Sequence, residues 1–148
     1  MITVKDLLDK KGREYYYVKP QATVFEALQK MAEKECGALM VIEDGKLVGM
    51  FSERDYARKI ILAGKSSKEA VVAELMTKLM VTVKPSTSIN DCMALMTEKR
   101  VRHLPVLDHN EIAGMISIGD VVNAVIREQN ITIKDLENYI TGSGYGVE

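Results

Sequence analysis

Tryptophan is absent, aromatic residues of any kind make up only 5% of the 148 residues, and there are just two cysteines and two histidines. Each scarcity removes a class of function. Cys36 and Cys92 form no CxxC, and with two histidines the soft ligands are too few for a structural zinc site in a monomer. No run approaches the roughly 18 apolar residues of a membrane helix. The N-terminus, MITVKDLLDKKG, carries acids early and lacks a charged-then-apolar signal pattern, so the expected setting is a reducing cytoplasm. An excess of one charge is missing too. The net charge of −1 gives no general drive toward nucleic acid, although it leaves local basic patches open.

What is present is ordinary for a globular chain, at 47% hydrophobic and 28% charged residues. The length suits one domain, or two very small ones sharing a core. Nine methionines read mostly as adaptable core filler.

The dominant feature is an internal repeat. Val18-Lys19-Pro20 and Val83-Lys84-Pro85 open two halves that stay in register at an offset of 65, without a gap, to Ile60 and Val125. Met31/Met96, Leu39/Leu104, Val41/Val106, Gly49/Gly114, Ser52/Ser117 and Asp55/Asp120 are among the identical pairs. Each half reads as strand, helix, strand, strand, helix. Thr23-x-x-Glu26 and Ser88-x-x-Asp91 are capping-box-like helix starts. Asp44-Gly45 and His109-Asn110 each separate two short apolar runs, as hairpin turns do. The closing helices are expected to begin near Arg54 and Asp120, the second running to about Ile140. Ahead of each copy lies a lead-in, Val4–Leu8 and Val72–Met76. These echo one another at an offset of 68, so the first carries about three extra residues near Lys10–Arg13. The expected division is a first repeat over 1–70, a second over 71–140 and a flexible tail over 141–148.

Both copies close on one pattern, Gly49-x-x-Ser52-x-x-Asp55 and Gly114-x-x-Ser117-x-x-Asp120. Two readings share this spacing. A Ser at the N-cap with an acid three residues on is a capping box that satisfies helix-end donors. The same arrangement offers free N–H groups for a phosphate and a carboxylate for sugar hydroxyls, beside a glycine that lets another group approach the backbone. One carboxylate can serve both roles.

The pattern G-x-x-[ST]-x-x-D, closing a β-α-β-β-α unit twice, resembles a tandem pair of cystathionine β-synthase (CBS) repeats, or Bateman module. The resemblance covers about 18–62 and 83–127. It implies an α+β fold with the two repeats related by a pseudo-twofold axis. It also implies that each Asp holds the ribose of AMP, ADP, ATP, NAD(H) or another adenosine ligand, with adenine in a slot built largely by the other repeat. On that basis Ser117 and Asp120, with Ile116, are expected to hold one ligand near Ala22, Ala27, Cys36 and Gly37. Ser52 and Asp55 are expected to hold the other near Thr87, Cys92 and Val101, with Arg54 and Arg58 reaching phosphates. Arg102-His103 match a position where the family often places phosphate contacts. Their counterparts Gly37 and Ala38 bring no charge, so the two sites should differ in affinity.

Other readings stay open beside these. Arg54 and Arg58 also suit a solvated helix face, His103 a buried strand entry, and Cys36 and Cys92 small core positions. Arg13 and Tyr15-Tyr16-Tyr17 fit either packing or a stacking surface. Catalysis is not expected. There is no GxxxxGK[ST], because Gly64-Lys65-Ser66 lacks the upstream glycine. The tail's Gly142-x-Gly144-x-Gly146 follows no strand. The expected role is a regulatory sensor that passes its state to another protein. The family commonly pairs such modules into a disc-like homodimer through helix faces. A dimeric interaction scaffold with vestigial pockets is the alternative; nucleic-acid binding would need a basic stripe, and acids interleave the candidates.

Overall fold

The computed structural model describes residues 1–60, 64, 66–78 and 81–141; of the expected tail, all but Thr141 lies outside the described residues. The first half comprises α1 (Val4–Lys11), β1 (Tyr17–Val18), α2 (Val24–Lys34), β2 (Ala38–Glu43), β3 (Lys46–Ser52) and a short α3 (Glu53–Asp55) that continues as a π-helical turn, Tyr56–Ile60. The second comprises α4 (Val72–Leu75), α5 (Ile89–Lys99), β4 (His103–Asp108), β5 (Glu111–Ser117) and the long α6 (Ile118–Thr141). This is the mixed, twice-repeated α+β architecture expected.

Local sequence explains the elements. Thr23 and Ser88 cap α2 and α5, their hydroxyls accepting the backbone N–H of Glu26 and Asp91 at 3.1 Å each. Both helices stop on a left-handed residue, Glu35 (φ 54°) and Arg100 (φ 55°), whose N–H closes back on the preceding turn. The hairpins turn through two residues of positive φ, Asp44-Gly45 (50°, 77°) and His109-Asn110 (51°, 67°). That is the twist a two-residue connection between antiparallel strands requires. β1 pairs in parallel with β2, whereas the second copy reduces this strand to one parallel bridge, Val83 to Val106.

The lead-ins are exchanged. Val4, Leu7 and Leu8 of α1 are buried in the core of the second repeat, with Ile89, Cys92, Leu104 and Ile116. Val72 and Leu75 of α4 are buried in the core of the first, with Val24, Met31, Val41 and Phe51. Backbone bonds match: Val4 N–H donates to Thr87 and Ile89 N–H to Ile2, while Val24 N–H donates to Ala70 and Val72 N–H to Ala22. Helices this short are not stable alone, so each depends on the apolar surface it covers. Each core is therefore built from residues of both halves of the chain.

The motif glycines make room for this exchange. A Cβ on Gly49 would lie 2.7 Å from Met76 Sδ and 3.1 Å from the Thr77 carbonyl, and one on Gly114 would lie 3.0 Å from Leu8 Cδ2. The group approaching each glycine is thus the opposite lead-in. Of the methionines, Met31, Met40 and Met96 are buried core, while Met1 and Met93 are exposed, so the core-filler reading holds for only some of them.

Candidate functional site

Where the repeats meet, a cavity of about 840 Å³ opens beside the first motif. That is within the size range of small-molecule sites. Ser52 and Asp55 line it from the first repeat together with Gly37, Arg54 and Arg58; Val101, Arg102 and His103 line it from the second. Candidate residues from segments far apart in the chain thus share one space, and Gly37, expected beside Ser117 and Asp120, lies here instead. Met50, Val81 and Pro105 add apolar wall.

Each motif forms its capping box. Asp55 Oδ2 accepts the Ser52 N–H and hydroxyl, both at 3.0 Å, and the Ser52 hydroxyl accepts the Asp55 N–H at 3.1 Å. Asp55 Oδ1 accepts the Thr77 hydroxyl at 3.1 Å and lies 3.4 Å from the Lys59 ammonium, which also donates to the Leu75 carbonyl. Asp120 Oδ2 accepts the Ser117 N–H at 2.8 Å, and the Asp120 N–H donates to the Ser117 hydroxyl. The same Oδ2 meets the Lys11 ammonium at 2.7 Å. Burial pushes the Asp120 carboxyl upward, but the bonds from Lys11 and Ser117 outweigh it and hold it below the usual carboxylate range.

His103 stands between the two motifs. It lines the cavity beside Asp55, its ring lies within 4 Å of where a Gly37 Cβ would be, and it feels the charge of Asp120. Burial lowers its pKa; Asp120 opposes this, and Lys11 and Arg102 reinforce it.

Several residues expected at the adenine slots lie elsewhere. Ala27, Cys92 and Ile116 are each 0% exposed, on inward positions of α2, α5 and β5, so they have no face to offer a ligand. Ala22 and Cys36, expected near Ser117 and Asp120, are partly buried against the first core. Thr87 accepts the Lys84 N–H in the turn before α5, and its carbonyl takes the Val4 N–H of α1. For Ala27 and Cys92 the reason is that small residues on the apolar face of a helix satisfy core packing before they can form a slot. Burial also raises the Cys92 thiol to about 11, as befits an inert core position.

Of the cavity's cations, Arg54, Arg58 and Arg102 were expected as phosphate contacts, whereas Lys59, Lys99 and Arg100 were not. Among the described residues, Arg54, Arg58, Lys59, Lys99, Arg100 and Arg102 surround the cavity, against Glu53 and Asp55. The run Lys99-Arg100-x-Arg102 just ahead of β4 was the available signal. Thr77 and Lys11 left none, because each reaches its motif only through the exchanged lead-ins. Arg54 donates to the Arg100 carbonyl at 3.3 Å, bridging the repeats. Among the described residues, Arg58, Lys99, Arg100 and Arg102 have no carboxylate within ion-pair distance. No group of three or more metal-ligating side chains occurs among them, and no helix of theirs is long and apolar enough to cross a membrane.

Comparison with known proteins agrees with this architecture. The CBS domain family matches residues 4–62 and 72–127. The mitochondrial CBS domain-containing protein CBSX3 of Arabidopsis thaliana is 40% identical over 152 residues, spanning 97% of this chain and 73% of that protein. The CBS domain-containing protein YhcV of Bacillus subtilis is 33% identical, spanning 86% of this chain and 89% of its own length. The solved structure of a protein with CBS domains from Burkholderia ambifaria MC40-6 superposes with a TM-score of 0.83 at 48% identity, over 86% of this chain and 96% of that one. With the repeat, the fold, both motifs and these matches in agreement, the chain belongs to the CBS domain family, as a tandem pair of CBS repeats.

Proposed function

We propose that this CBS pair is a non-catalytic sensor that binds an adenine nucleotide in the Ser52/Asp55 cavity and passes its state to a partner protein. The observation that carries this reading is charge. Six cations and two carboxylates line the cavity of a chain whose net charge is −1. Positive charge concentrated in a cleft attracts anions, and Arg58, Lys99, Arg100 and Arg102 have no ion pair among the described residues. Asp55 and Ser52 suit ribose hydroxyls, the arginines suit phosphates, and Met50, Val81, Val101 and Pro105 supply apolar surface for a base. Cations from both repeats face the same space, so a polyanion there would favour the closed arrangement. Regulation follows if the partner distinguishes that arrangement from the empty one.

Ile118, Val122 and Ile126 stand four apart on α6, each more than 40% exposed, and fit a homodimer through helix faces. The two free thiols suit a reducing compartment such as the cytoplasm.

A thermal-shift screen against AMP, ADP, ATP, NAD, NADH and S-adenosylmethionine tests the reading. A ligand at about 100 times its Kd adds about 2.7 kcal/mol of stability. The shift should grow from AMP to ATP and vanish in Asp55→Ala. One observation favours the scaffold reading instead: both Asp55 oxygens already hold partners within the protein. Indifference to every nucleotide would put that reading first.

A further inference from the structure

The His103 imidazole lines the cavity without a partner of its own. Its backbone is fixed by the β4–β5 pairing, opposite Ser117. The Cε1–Nε2 edge of the ring faces Gly37 of the first repeat, where a Cβ would lie 3.8 and 3.9 Å from those two atoms. Among the described residues, the ring makes no hydrogen bond or ion pair. No side-chain nitrogen of a residue this far buried is sealed from solvent without a partner, so both ring nitrogens open onto accessible space.

The charges around the ring oppose its protonation. Burial disfavours the imidazolium most, Lys11 and Arg102 add to that, and Asp120 favours it. From the first repeat the cavity adds Arg54, Arg58 and Lys59 with Glu53 and Asp55, and from the end of α5 it adds Lys99 and Arg100. The Asp55 oxygens already accept Ser52 and Thr77. Burial pushes the neighbouring Cys36 thiol up, so it brings no charge. In the empty cavity an imidazolium is one more cation among six, and the ring is neutral at pH 7.

We propose that the cavity takes up a proton together with its anion, and that His103 carries it. This rests on the nucleotide-sensing reading above and adds pH as a second input at the same site. A phosphate oxygen in the cavity supplies the negative charge that the ring lacks, and the imidazolium donates a hydrogen bond to it. The proton comes from solvent. Because the charged ring is favoured in the complex, its pKa is higher there than in the free protein. Affinity therefore rises as pH falls through the bound value and levels off below the free one. A given ligand concentration fills the cavity further in acid.

NMR of the two histidine rings, from about pH 7.5 to about pH 5.5 with and without saturating ATP, tests this. His109, whose side chain is 95% exposed, is the internal reference. ATP should raise the His103 midpoint by about one unit, which is tenfold in affinity, and leave that of His109 in place. Isothermal titration with ATP over the same range gives an independent measure. The terminal phosphate of ATP titrates in this window, so His103→Gln supplies the baseline. The wild type should lose about tenfold more affinity than the variant as pH rises. The NMR measurement uses the wild type alone and decides the matter if Gln impairs folding. A His103 midpoint that ATP leaves unchanged or lowers, or the same pH dependence in wild type and variant, would overturn this inference and leave the sensor reading standing. No binding of ATP at any pH in the range would overturn both.

Discussion

His103 is the residue where charge and burial meet most directly. Its ordinary pKa is 6.5, and burial holds it below that, with Lys11 and Arg102 adding to the effect and Asp120 opposing it. The unfolded chain therefore binds more protons than the folded one just below pH 6.5, and stability rises with pH in that window. This contribution is complete above about pH 6.5 and is lost as pH falls toward the lower, folded value. A melting midpoint followed from pH 7.5 to 5.5 should decline on the acid side, and His103→Gln should flatten the decline. An unchanged profile in the variant would assign the effect to other groups. That His103 lies on the cavity wall was expected from the family resemblance, which places phosphate contacts at the position of Arg102-His103. Its place between the two carboxylates was not, because Asp120 and Lys11 reach it from opposite ends of the chain.

At the scale of elements, glycine separates packing from propensity. Gly49 lies on β3 with Met76 and the Thr77 backbone against it, and a methyl group there must displace at least one of them. Gly49→Ala should cost about 1–3 kcal/mol, as overpacking does. Gly119 lies in the first turn of α6, where a Cβ would meet only Ser117 Oγ at an ordinary 3.6 Å. Gly119→Ala should gain up to about 1 kcal/mol through helix propensity. Urea denaturation of the pair checks both signs. The elements themselves were readable from local chemistry: caps at Thr23 and Ser88, and turns at Asp44-Gly45 and His109-Asn110. The π-helical turn at Tyr56–Ile60 was not, since the second copy runs the same stretch as regular helix in α6. In the first copy that turn carries Arg58 and Lys59 into the cavity wall.

For the whole molecule, the exchange of lead-ins ties the two cores together. Leu8 is 1% exposed, inside the second core and against Gly114. Leu8→Ala should cost about 2–5 kcal/mol, the usual range for a large-to-small change in a core. Native-state hydrogen exchange should localise the damage. Amides of α5, β4 and β5 should exchange faster, although the substitution lies at the other end of the chain, while α2, β2 and β3 change less. Faster exchange confined to the first repeat would contradict the crossed arrangement. The exchange also gives each motif a neighbour from the far side of the molecule, Thr77 for Asp55 and Lys11 for Asp120.

The repeat at an offset of 65, the two hairpins, the helix caps and the paired G-x-x-S-x-x-D motifs were determined by the sequence alone, because each is a local pattern of φ preference, capping chemistry or apolar period. Which surfaces those patterns bury against was decided only by the tertiary structure. An apolar period on α1 says that one face is buried, but it is equally satisfied by either core. Packing chose the opposite one, and that choice placed Lys11 on Asp120. It likewise turned Ala27, Cys92 and Ile116 into core and gathered six cations from both repeats around one cavity. Contacts between residues so far apart depend on how two complete units dock, and no periodicity along the chain encodes that.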